Sequence, residues 1–319
     1  MTVRKITTVA LWLIFGQVVA QDPVLYRSWY SGQHINPAII GIEPCTRIYL
    51  MVNDRGPRLT DFWTGTANAY ATILLGIDGF SEKLNGSIGI QYLGDFTAGG
   101  LLSFHQIAIT YAYRKQVTRS NFWQLGISFL GRYYLIDYTR MVFPEDIDPV
   151  FGLTGFNSAR YDRYATLYPS ASIGFLYFSP KLVGGIALHH ITRLRGYQEP
   201  QYQARVSMHL STAFQISRAS YLVPQAIFDA TGKTYRLQAI LRWRHVKWSL
   251  YAGAYSGFKF LDGVLLGFSH EVKGLRLAYT LGLDLNGPIY SGQSHELGIE
   301  TFFCPTDKRV SISECPAWR

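Results

Sequence analysis

Few residues of this chain stand at spacings that support catalysis. Gly232-Lys233-Thr234 is similar to the end of a phosphate-binding loop, but Ile227 occupies the position where that loop needs a glycine. His270-Glu271 and His295-Glu296 are not followed by a second histidine at the spacing of zinc proteases. These motifs therefore give no support to a nucleotide-binding site or to a zinc protease.

Glu145, Asp146 and Asp148 form the densest group of carboxylates in the chain, bracketed by Pro144 and Pro149. Clustered carboxylate oxygens are the ligands that calcium prefers in proteins. A calcium site usually needs more oxygen ligands than this group offers, so we interpret the cluster as part of a solvated loop.

His189 and His190 are adjacent on a predicted strand, where neighbouring side chains point to opposite faces. We therefore expect two separate wall or interface residues and not joint ligands of one metal. A hydrolase would need a serine, a histidine and a further polar group in one place. No serine in the chain has the local sequence signature of such a nucleophile.

The three cysteines, Cys45, Cys304 and Cys315, fit an oxidising compartment without requiring one. Cys304 and Cys315 are close in sequence, so a bridge between them would close a small loop and leave Cys45 unpaired. Because sequence alone does not fix disulfide pairing, the Cys304–Cys315 bridge and its absence are both open alternatives.

Alternation of apolar with small or polar residues recurs in short runs along the chain. In residues 275–283, every second residue is leucine or tyrosine, and the residues between them are Arg276, Ala278, Thr280 and Gly282. Period-two alternation places one set on each face of a strand. In a membrane barrel, the large apolar set contacts lipid and the small polar set lines a wet interior.

The composition of the chain agrees with a membrane barrel. Of the 319 residues, 16% are charged, 15% are aromatic and 30 are glycine, whereas about a quarter of the residues of a soluble protein are charged. After the N-terminus there is no apolar run of about 18 residues, the length that a spanning helix needs. A helical membrane protein is therefore excluded.

We predict an all-β chain that forms a transmembrane antiparallel outer-membrane β-barrel of about 14 strands, an even number as in bacterial single-chain barrels. The predicted strands are 46–52, 66–75, 87–93, 104–113, 122–134, 168–178, 181–190, 206–217, 222–229, 234–242, 247–255, 263–269, 274–283 and 296–303. Short turns alternate with longer links, the longest being 135–167 and 191–205, and the link from Asp78 to Gly86 is an exception to this rule. A soluble sandwich alternates in the same way, but tyrosines and tryptophans near strand ends favour membrane interfaces.

The N-terminus has the features of a cleavable export signal. Arg4 and Lys5 precede an apolar core from Val9 to Phe15, and small residues precede a cut before Gln21. The core is too short to favour an uncleaved anchor helix. Removal of the signal peptide, with Arg4 and Lys5, lowers the formal net charge from +9 to +7. A positive surplus of this size fits lipid phosphates or an acidic partner. The sequence contains no nucleic-acid-binding motif. We assign 1–20 to the signal peptide, 21–45 to a periplasmic or luminal N-terminal segment, 46–303 to the barrel and 304–319 to a periplasmic tail.

Short motifs at both ends of the mature chain identify a family. Gln21-Asp22-Pro23 is followed by an aromatic-rich stretch and by residues 36–41, which read Asn-Pro-Ala-Ile-Ile-Gly, and residues 291–299 lie near the far end. In this order the motifs resemble the PorP/SprF family of type IX secretion system outer-membrane proteins, which close with a Gly-Ser-His-Glu strand start. Gln293 departs from that pattern because it is inserted after the glycine, and residues 53–58 lack the tryptophan that is common there.

The resemblance implies a non-enzymatic component of type IX secretion that is fixed in the outer membrane and needs no cofactor. It implies partners among the periplasmic ring and peptidoglycan-binding components and, for some members, the C-terminal sorting domain of a secreted adhesin used in gliding motility. The rival hypothesis is a porin-like diffusion channel, because a barrel of this size conducts unless residues 135–167 or 21–45 fill its lumen. An outer-membrane hydrolase is a third class.

Candidate partner-binding residues lie in two segments outside the predicted strands. Asn before proline forms turns, so Asn36-Pro37 either leads into the first strand, which we favour, or contacts a partner or fills the lumen. Pro305 and Pro316 prevent the tail from extending the sheet, so it is either a disordered overhang or a docking segment for an acidic or aromatic-lined surface. The candidate residues are Asn36, Pro37, Cys304, Lys308, Arg309, Cys315 and Trp318.

Overall fold

The structure, a computed structural model, describes residues 22–23, 25–26, 31–43, 45–56, 70–97, 100–141, 143–154, 162–192, 203–232, 234–257, 261–286 and 292–304. Within these ranges, no helix is long and apolar enough to cross a membrane. The predicted signal peptide and tail residues 305–319 lie outside the described residues.

Strands make up most of the described chain. They are β1 (Thr46–Arg55), β2 (Tyr70–Ser81), β3 (Gly86–Thr97), β4 (Leu102–Gln116), β5 (Phe122–Asp137), β6 (Ile147–Asp148), β7 (Gly152–Leu153), β8 (Arg163–Phe178), β9 (Leu182–His189), β10 (Arg205–Thr212), β11 (Phe214–Ser217), β12 (Ser220–Thr231), β13 (Thr234–His245), β14 (Trp248–Ser256), β15 (Gly263–Val272), β16 (Leu275–Asp284) and β17 (Gln293–Phe303). A short helix, α1 (Gly32–Ile35), and a 3-10 turn, Pro37–Ile39, precede β1. Further 3-10 turns span Glu82–Leu84, Tyr138–Arg140 and Pro144–Asp146.

All strands except β6 and β7 belong to one continuous antiparallel sheet. β10 and β11 form one wall strand, because both pair with β12 and only Ala213 separates them. The first strand pairs with the last, from Thr46 opposite Phe303 to Arg55 opposite Ser294, and the pairing of β10 with β12 completes the circle. The sheet is thus a closed 14-stranded barrel, and the predicted fold is confirmed.

The two faces of the wall follow the predicted alternation. On β4, Ile107 and Ile109 are 56% and 58% exposed on the outside, while Gln106, Ala108 and Thr110, which alternate with them, are buried. On β17, Leu297 and Ile299 point outward and Glu296 and Glu300 are buried inside. The outer face is therefore apolar, as a membrane barrel requires. The inner face combines polar side chains with a buried apolar cluster that includes Met51, Leu74 and Leu176.

Several strand boundaries differ from their prediction. β2 continues to Ser81, beyond the predicted end at residue 75, and residues 66–69 of the predicted strand lie outside the described residues. A 3-10 turn and Asn85, which has a φ of 47°, therefore form a short link to β3. The predicted exception to the turn rule therefore disappears. The predicted strand 206–217 is interrupted at Ala213, and β5 and β8 extend into the predicted loop 135–167. At the end of β5, Leu135 and Ile136 are consecutive apolar residues, so the alternation there does not mark the strand.

A disulfide links the ends of the first and last strands, whose pairing we call the seam of the barrel. Cys45, just before β1, is bonded to Cys304, just after β17. The register explains the pairing, because Thr46 lies opposite Phe303 and the next pair brings the two cysteine Cα atoms to 4.4 Å. The predicted Cys304–Cys315 bridge is therefore wrong, since Cys304 is bonded to a cysteine 259 positions away. Cys315 lies outside the described residues.

We expect Cys45→Ser to lower the free energy of unfolding by about 2–4 kcal/mol, because a bridge across so long a loop restricts the unfolded chain. Urea unfolding of the protein in lipid vesicles, followed by tryptophan fluorescence, measures the change. Cys315→Ser is the matched control and leaves the unfolding midpoint unchanged. The reverse result, with Cys315→Ser destabilising and Cys45→Ser neutral, would contradict the assigned bridge.

Candidate functional site in the barrel lumen

The interior of the wall carries charged and amide side chains that are almost fully buried. Arg47, Gln91, Gln124, Arg132 and Glu300 are each at most 4% exposed. Buried polar groups are costly unless they are hydrogen-bonded, so such side chains need partners inside the lumen. The N-terminal residues supply many of them. We call the described residues 22–23, 25–26 and 31–43 the luminal segment.

Asn36 organises the middle of the luminal segment. Its Oδ1 accepts a hydrogen bond from the Ala38 backbone N–H at 2.8 Å, which caps the 3-10 turn that begins at Pro37. Its Nδ2 donates to the carbonyl of Phe175 at 2.9 Å and more weakly to that of Ile186 at 3.4 Å. One side chain therefore fixes both the local fold of the segment and its position against β8 and β9.

Wall side chains bind the segment mainly through its backbone carbonyls. Gln124 Nε2 donates to the Ile40 carbonyl at 2.8 Å, and Arg114 donates to the Gly41 carbonyl. The Ile35 carbonyl accepts from Ser207, and His189 Nε2 lies 2.8 Å from the same oxygen. Strands β4, β5, β9 and β10 thus hold the segment from several sides of the lumen.

Glycines in the wall permit the close approach of the luminal segment. A Cβ atom at Gly126 would overlap the backbone of Pro37 and Ala38, and one at Gly174 would overlap Asn36 Oδ1. Both glycines lie on the inward face of their strands, where they are flanked by Gln124 and Ser128 on β5 and by Ser172 and Leu176 on β8. The wall is therefore shaped to accept the segment, which distinguishes this lumen from a water-filled pore.

Asp22 is the centre of one buried ionic cluster. Its carboxylate lies 2.7 Å from Arg132, 2.8 Å from His190 and 3.2 Å from Arg205, and its side chain is 7% exposed. Arg205 also donates to the His34 carbonyl. The cluster joins the start of the luminal segment to β5, β10 and the end of β9.

A second ionic cluster anchors the other end of the segment. Arg47 lies 2.6 Å from Asp78 and 3.5 Å from Glu300, and Arg276 lies 2.9 Å from Glu300. The Gly41 N–H donates to Asp78 at 3.0 Å, so the cluster includes the luminal segment. It spans β1, β2, β16 and β17, which are the two strands of the seam and their neighbours.

A cavity remains beside the luminal segment, at the end of the barrel opposite the disulfide. Its volume is about 380 Å³. Charges of both signs line it, with Arg55, Arg205 and Arg236 facing Asp229 and Asp284. Tyr255 lines it as well, and Arg236 stacks on the ring of Tyr255 at 4.7 Å and on that of the buried Tyr26 at 5.3 Å. The cavity is a recess next to the luminal segment, within the described part of the lumen.

The structure places the candidate partner-binding residues in two situations. Asn36 and Pro37 are buried in the lumen, so their described role is to fill it. Cys304 is exposed on the rim as part of the disulfide. Lys308, Arg309, Cys315 and Trp318 lie outside the described residues, and their part in partner binding stays a prediction.

The acidic cluster forms local hydrogen bonds. Asp146 accepts from the Phe143 N–H at 2.9 Å, and Asp148 accepts from the N–H groups of Val150 and Phe151, both at 2.8 Å. The latter two bonds lower the pKa of Asp148 because they stabilise its charged form. Among the described residues no group of three or more His, Cys, Asp or Glu side chains is arranged to hold a metal ion.

The predicted opposite orientation of His189 and His190 is wrong. β9 ends at His189, and His190 has a φ of 58°, which breaks the alternation and turns its ring inward as well. Both residues are 4% exposed, with His189 beside Ile35 and Ser207 and His190 beside Asp22. They are lumen residues that bind the segment.

Comparison with known proteins agrees with this architecture. Residues 18–300 match the family described as type IX secretion system membrane protein PorP/SprF. The chain belongs to this family. The resemblance inferred from the sequence motifs is confirmed, and the family and the fold together place the protein in the outer membrane. No curated protein sequence matches the chain.

Solved structures with the same fold are outer-membrane barrels. The toluene transporter TbuX of Ralstonia pickettii has a TM-score of 0.52 at 9% identity, over 86% of this chain and 93% of that one. CymD, a monoaromatic hydrocarbon channel, has a TM-score of 0.52 at 12% identity, over 86% and 93%. A mutant of the channel TodX has a TM-score of 0.53 at 10% identity, over 85% and 92%. At these identities the likeness shows the fold alone.

Sequence reasoning missed the residues that bind the luminal segment. Arg47, Arg132 and Glu300 each stand at an inward position of a strand, between small or apolar neighbours. A charged residue at such a position is the available signal, because it needs a partner inside the barrel. The sequence does not show which partner, since Asp78 and Asp22 are distant along the chain.

We expect Asp78→Asn to lower the free energy of unfolding by about 3 kcal/mol, because the change leaves Arg47 with less than its full buried countercharge. Urea unfolding in lipid vesicles measures the loss. Arg163→Gln is the matched control, because Arg163 is 66% exposed and lies 3.6 Å from Asp137, and an exposed pair contributes less than about 1 kcal/mol. Equal losses in the two variants would show that the buried cluster has no special weight.

Proposed function

We propose that this protein is a non-enzymatic scaffold or adaptor of the type IX secretion system rather than an open channel. The observation that carries the proposal is the luminal segment, which is hydrogen-bonded to side chains of β2, β4, β5, β9 and β10 and to a backbone carbonyl of β8. Membership of the PorP/SprF family supports the secretion role. The barrel then serves as a membrane anchor, and its turns, loops and tail contact other components.

The partners we infer are the periplasmic ring and peptidoglycan-binding components of the system. A second partner is the C-terminal sorting domain of a secreted adhesin, as expected for a protein that supports gliding motility. The signal peptide assigned to residues 1–20 fits export to the outer membrane. The tail beyond Cys304, with Lys308, Arg309 and Trp318, is the segment that we assign to periplasmic docking.

A diffusion channel is the second candidate function. The observation that favours it is the cavity of about 380 Å³ beside the luminal segment. Barrels of the same fold include a toluene transporter and monoaromatic hydrocarbon channels. A channel would require the luminal segment to move, because the segment occupies the lumen below the cavity.

Conductance in planar bilayers separates the two functions. We expect the purified wild-type protein to be silent and Gly126→Val to show current steps, because the added side chain displaces Pro37 and Ala38 from the wall. Gly131→Val is the matched control on the same strand, since no atom lies within 4 Å of a Cβ built at Gly131. This control stays silent. Steady conductance of the wild-type protein would favour the channel and overturn the scaffold.

Purification of the tagged protein from gently solubilised, crosslinked native outer membranes tests the partners. We expect mass spectrometry to find type IX ring components or a secreted adhesin with the full-length protein. A truncation that removes residues 305–319 retains the Cys45–Cys304 bridge, and we expect it to lose these partners while it stays folded. Recovery of the barrel alone would contradict the scaffold function.

A further inference from the structure

The end of the barrel that carries the disulfide has an uneven distribution of charge. Six hairpin turns lie at this end, and each carries at least one exposed lysine or arginine. We call these residues the basic rim. They are Lys83, Lys115, Arg119, Lys181, Arg218, Lys247 and Lys273.

The acids near the basic rim do not neutralise it. Glu82 is exposed beside Lys83, and Glu271 lies 3.1 Å from Arg276, which also pairs with Glu300. Among the described residues, no ion pair involves a member of the basic rim. At the opposite end, the described links carry mostly acids, including Glu145, Asp148 and Asp162. Among the described residues, the positive surplus therefore lies at the disulfide end.

Apolar side chains accompany the basic rim in five of its turns. Each is between 46% and 61% exposed although it lies next to, or within two residues of, a basic residue. Such a pairing suits a bilayer interface, where an apolar side chain dips toward the acyl chains and a neighbouring ammonium reaches the phosphates. The apolar residues are Leu84, Val117, Ile216, Val246 and Val272.

Aromatic residues locate the basic rim relative to the membrane. Trp243 and Trp248 contact each other at a centroid distance of 4.7 Å, and Tyr113 and Trp123 do so at 6.1 Å. Tryptophan and tyrosine at strand ends mark the membrane interface. Lys247 is adjacent to Trp248, so the basic rim lies at the level of the lipid headgroups.

We propose that the basic rim binds the phosphate headgroups of anionic phospholipids in the leaflet next to the disulfide end of the barrel. The basic rim adjoins a set of aromatic residues that we call the aromatic belt, namely Tyr113, Trp123, Trp243 and Trp248. This continuity favours lipid over an acidic protein surface as the partner. The chemistry recognised is the phosphodiester of a lipid such as phosphatidylglycerol. This site is separate from the lumen, and its occupancy does not depend on the secretion role.

The test uses the full-length mature protein in phosphatidylcholine vesicles that contain phosphatidylglycerol. One lipid or the other is brominated, and quenching of tryptophan fluorescence reports which lipid contacts the belt. Trp29, Trp63 and Trp318 are replaced by phenylalanine in every protein, so that Trp123, Trp243 and Trp248 give the signal. We expect phosphatidylglycerol to be enriched about threefold at the belt, and the preference to vanish in about 1 M salt.

The rim variant combines Lys83→Gln, Lys181→Gln, Lys247→Gln and Lys273→Gln. Its matched control removes four positive charges at sequence positions outside the six turns of the basic rim, with Arg163→Gln, Arg193→Gln, Lys233→Gln and Lys259→Gln. We expect the rim variant to quench equally with both lipids and the control to keep the wild-type preference. A shift in gel migration on heating verifies that each variant is a folded barrel.

Three outcomes would overturn the proposal. Equal quenching by the two lipids in the wild-type protein would show that the basic rim does not select anionic lipid and would leave an acidic protein surface as its partner. An unchanged preference in the rim variant would place the selecting charges elsewhere. Loss of the preference in the control would attribute it to net charge alone.

Discussion

A β-sheet cannot end inside a bilayer, because each unpaired N–H or C=O group at its edge would lie in hydrocarbon without a partner. In this barrel, 10 residue pairs join β1 to β17 and remove that edge. The disulfide between Cys45 and Cys304 adds a covalent bond at the position next to the Thr46–Phe303 pair. The ionic cluster around Arg47 and Glu300 lies on these two strands as well, so one of the anchors of the luminal segment is at this seam. The Asp22 cluster is the other anchor and lies on β5, β10 and the end of β9.

The wall recognises the luminal segment chiefly by its backbone. The carbonyls of Tyr26, His34, Ile40 and Gly41 all accept hydrogen bonds from side chains of the wall. Such contacts place a strong demand on the wall, which must offer donors at the correct height and glycine at the points of closest approach. Side chains of the segment also bind the wall, as those of Asp22, Gln33 and Asn36 do.

The fold could be predicted because each strand repeats the same two-residue pattern. Ile107 and Ile109 against Gln106 and Thr110 are sufficient to assign the faces of β4. The ends of strands were less predictable, since polar residues such as Asp78 and Gly79 read as a turn although their inward or outward register continues. A strand end depends on where the partner strand stops pairing.

The candidate site was predictable only in part. Residues 21–45 were identified as possible filling for the lumen, and Asn36-Pro37 as a turn, because these motifs are local. The pairing of Asp22 with Arg132 and of Cys45 with Cys304 joins residues from distant parts of the chain. Such pairs follow from the order and stagger of the strands around the barrel, which no single segment encodes.

The luminal segment precedes every strand of the barrel in the chain, whereas the strand that completes its enclosure, β17, follows all the others. Pairing of β1 with β17 therefore encloses the luminal segment, and a barrel that closed without the segment would have to admit it afterwards. The geometry favours a biogenesis in which the sheet curves around the luminal segment before its first and last strands pair. Substitutions in the segment should then alter the rate of membrane assembly as well as the content of the finished lumen, because the longest-range contacts in the chain are the last to form.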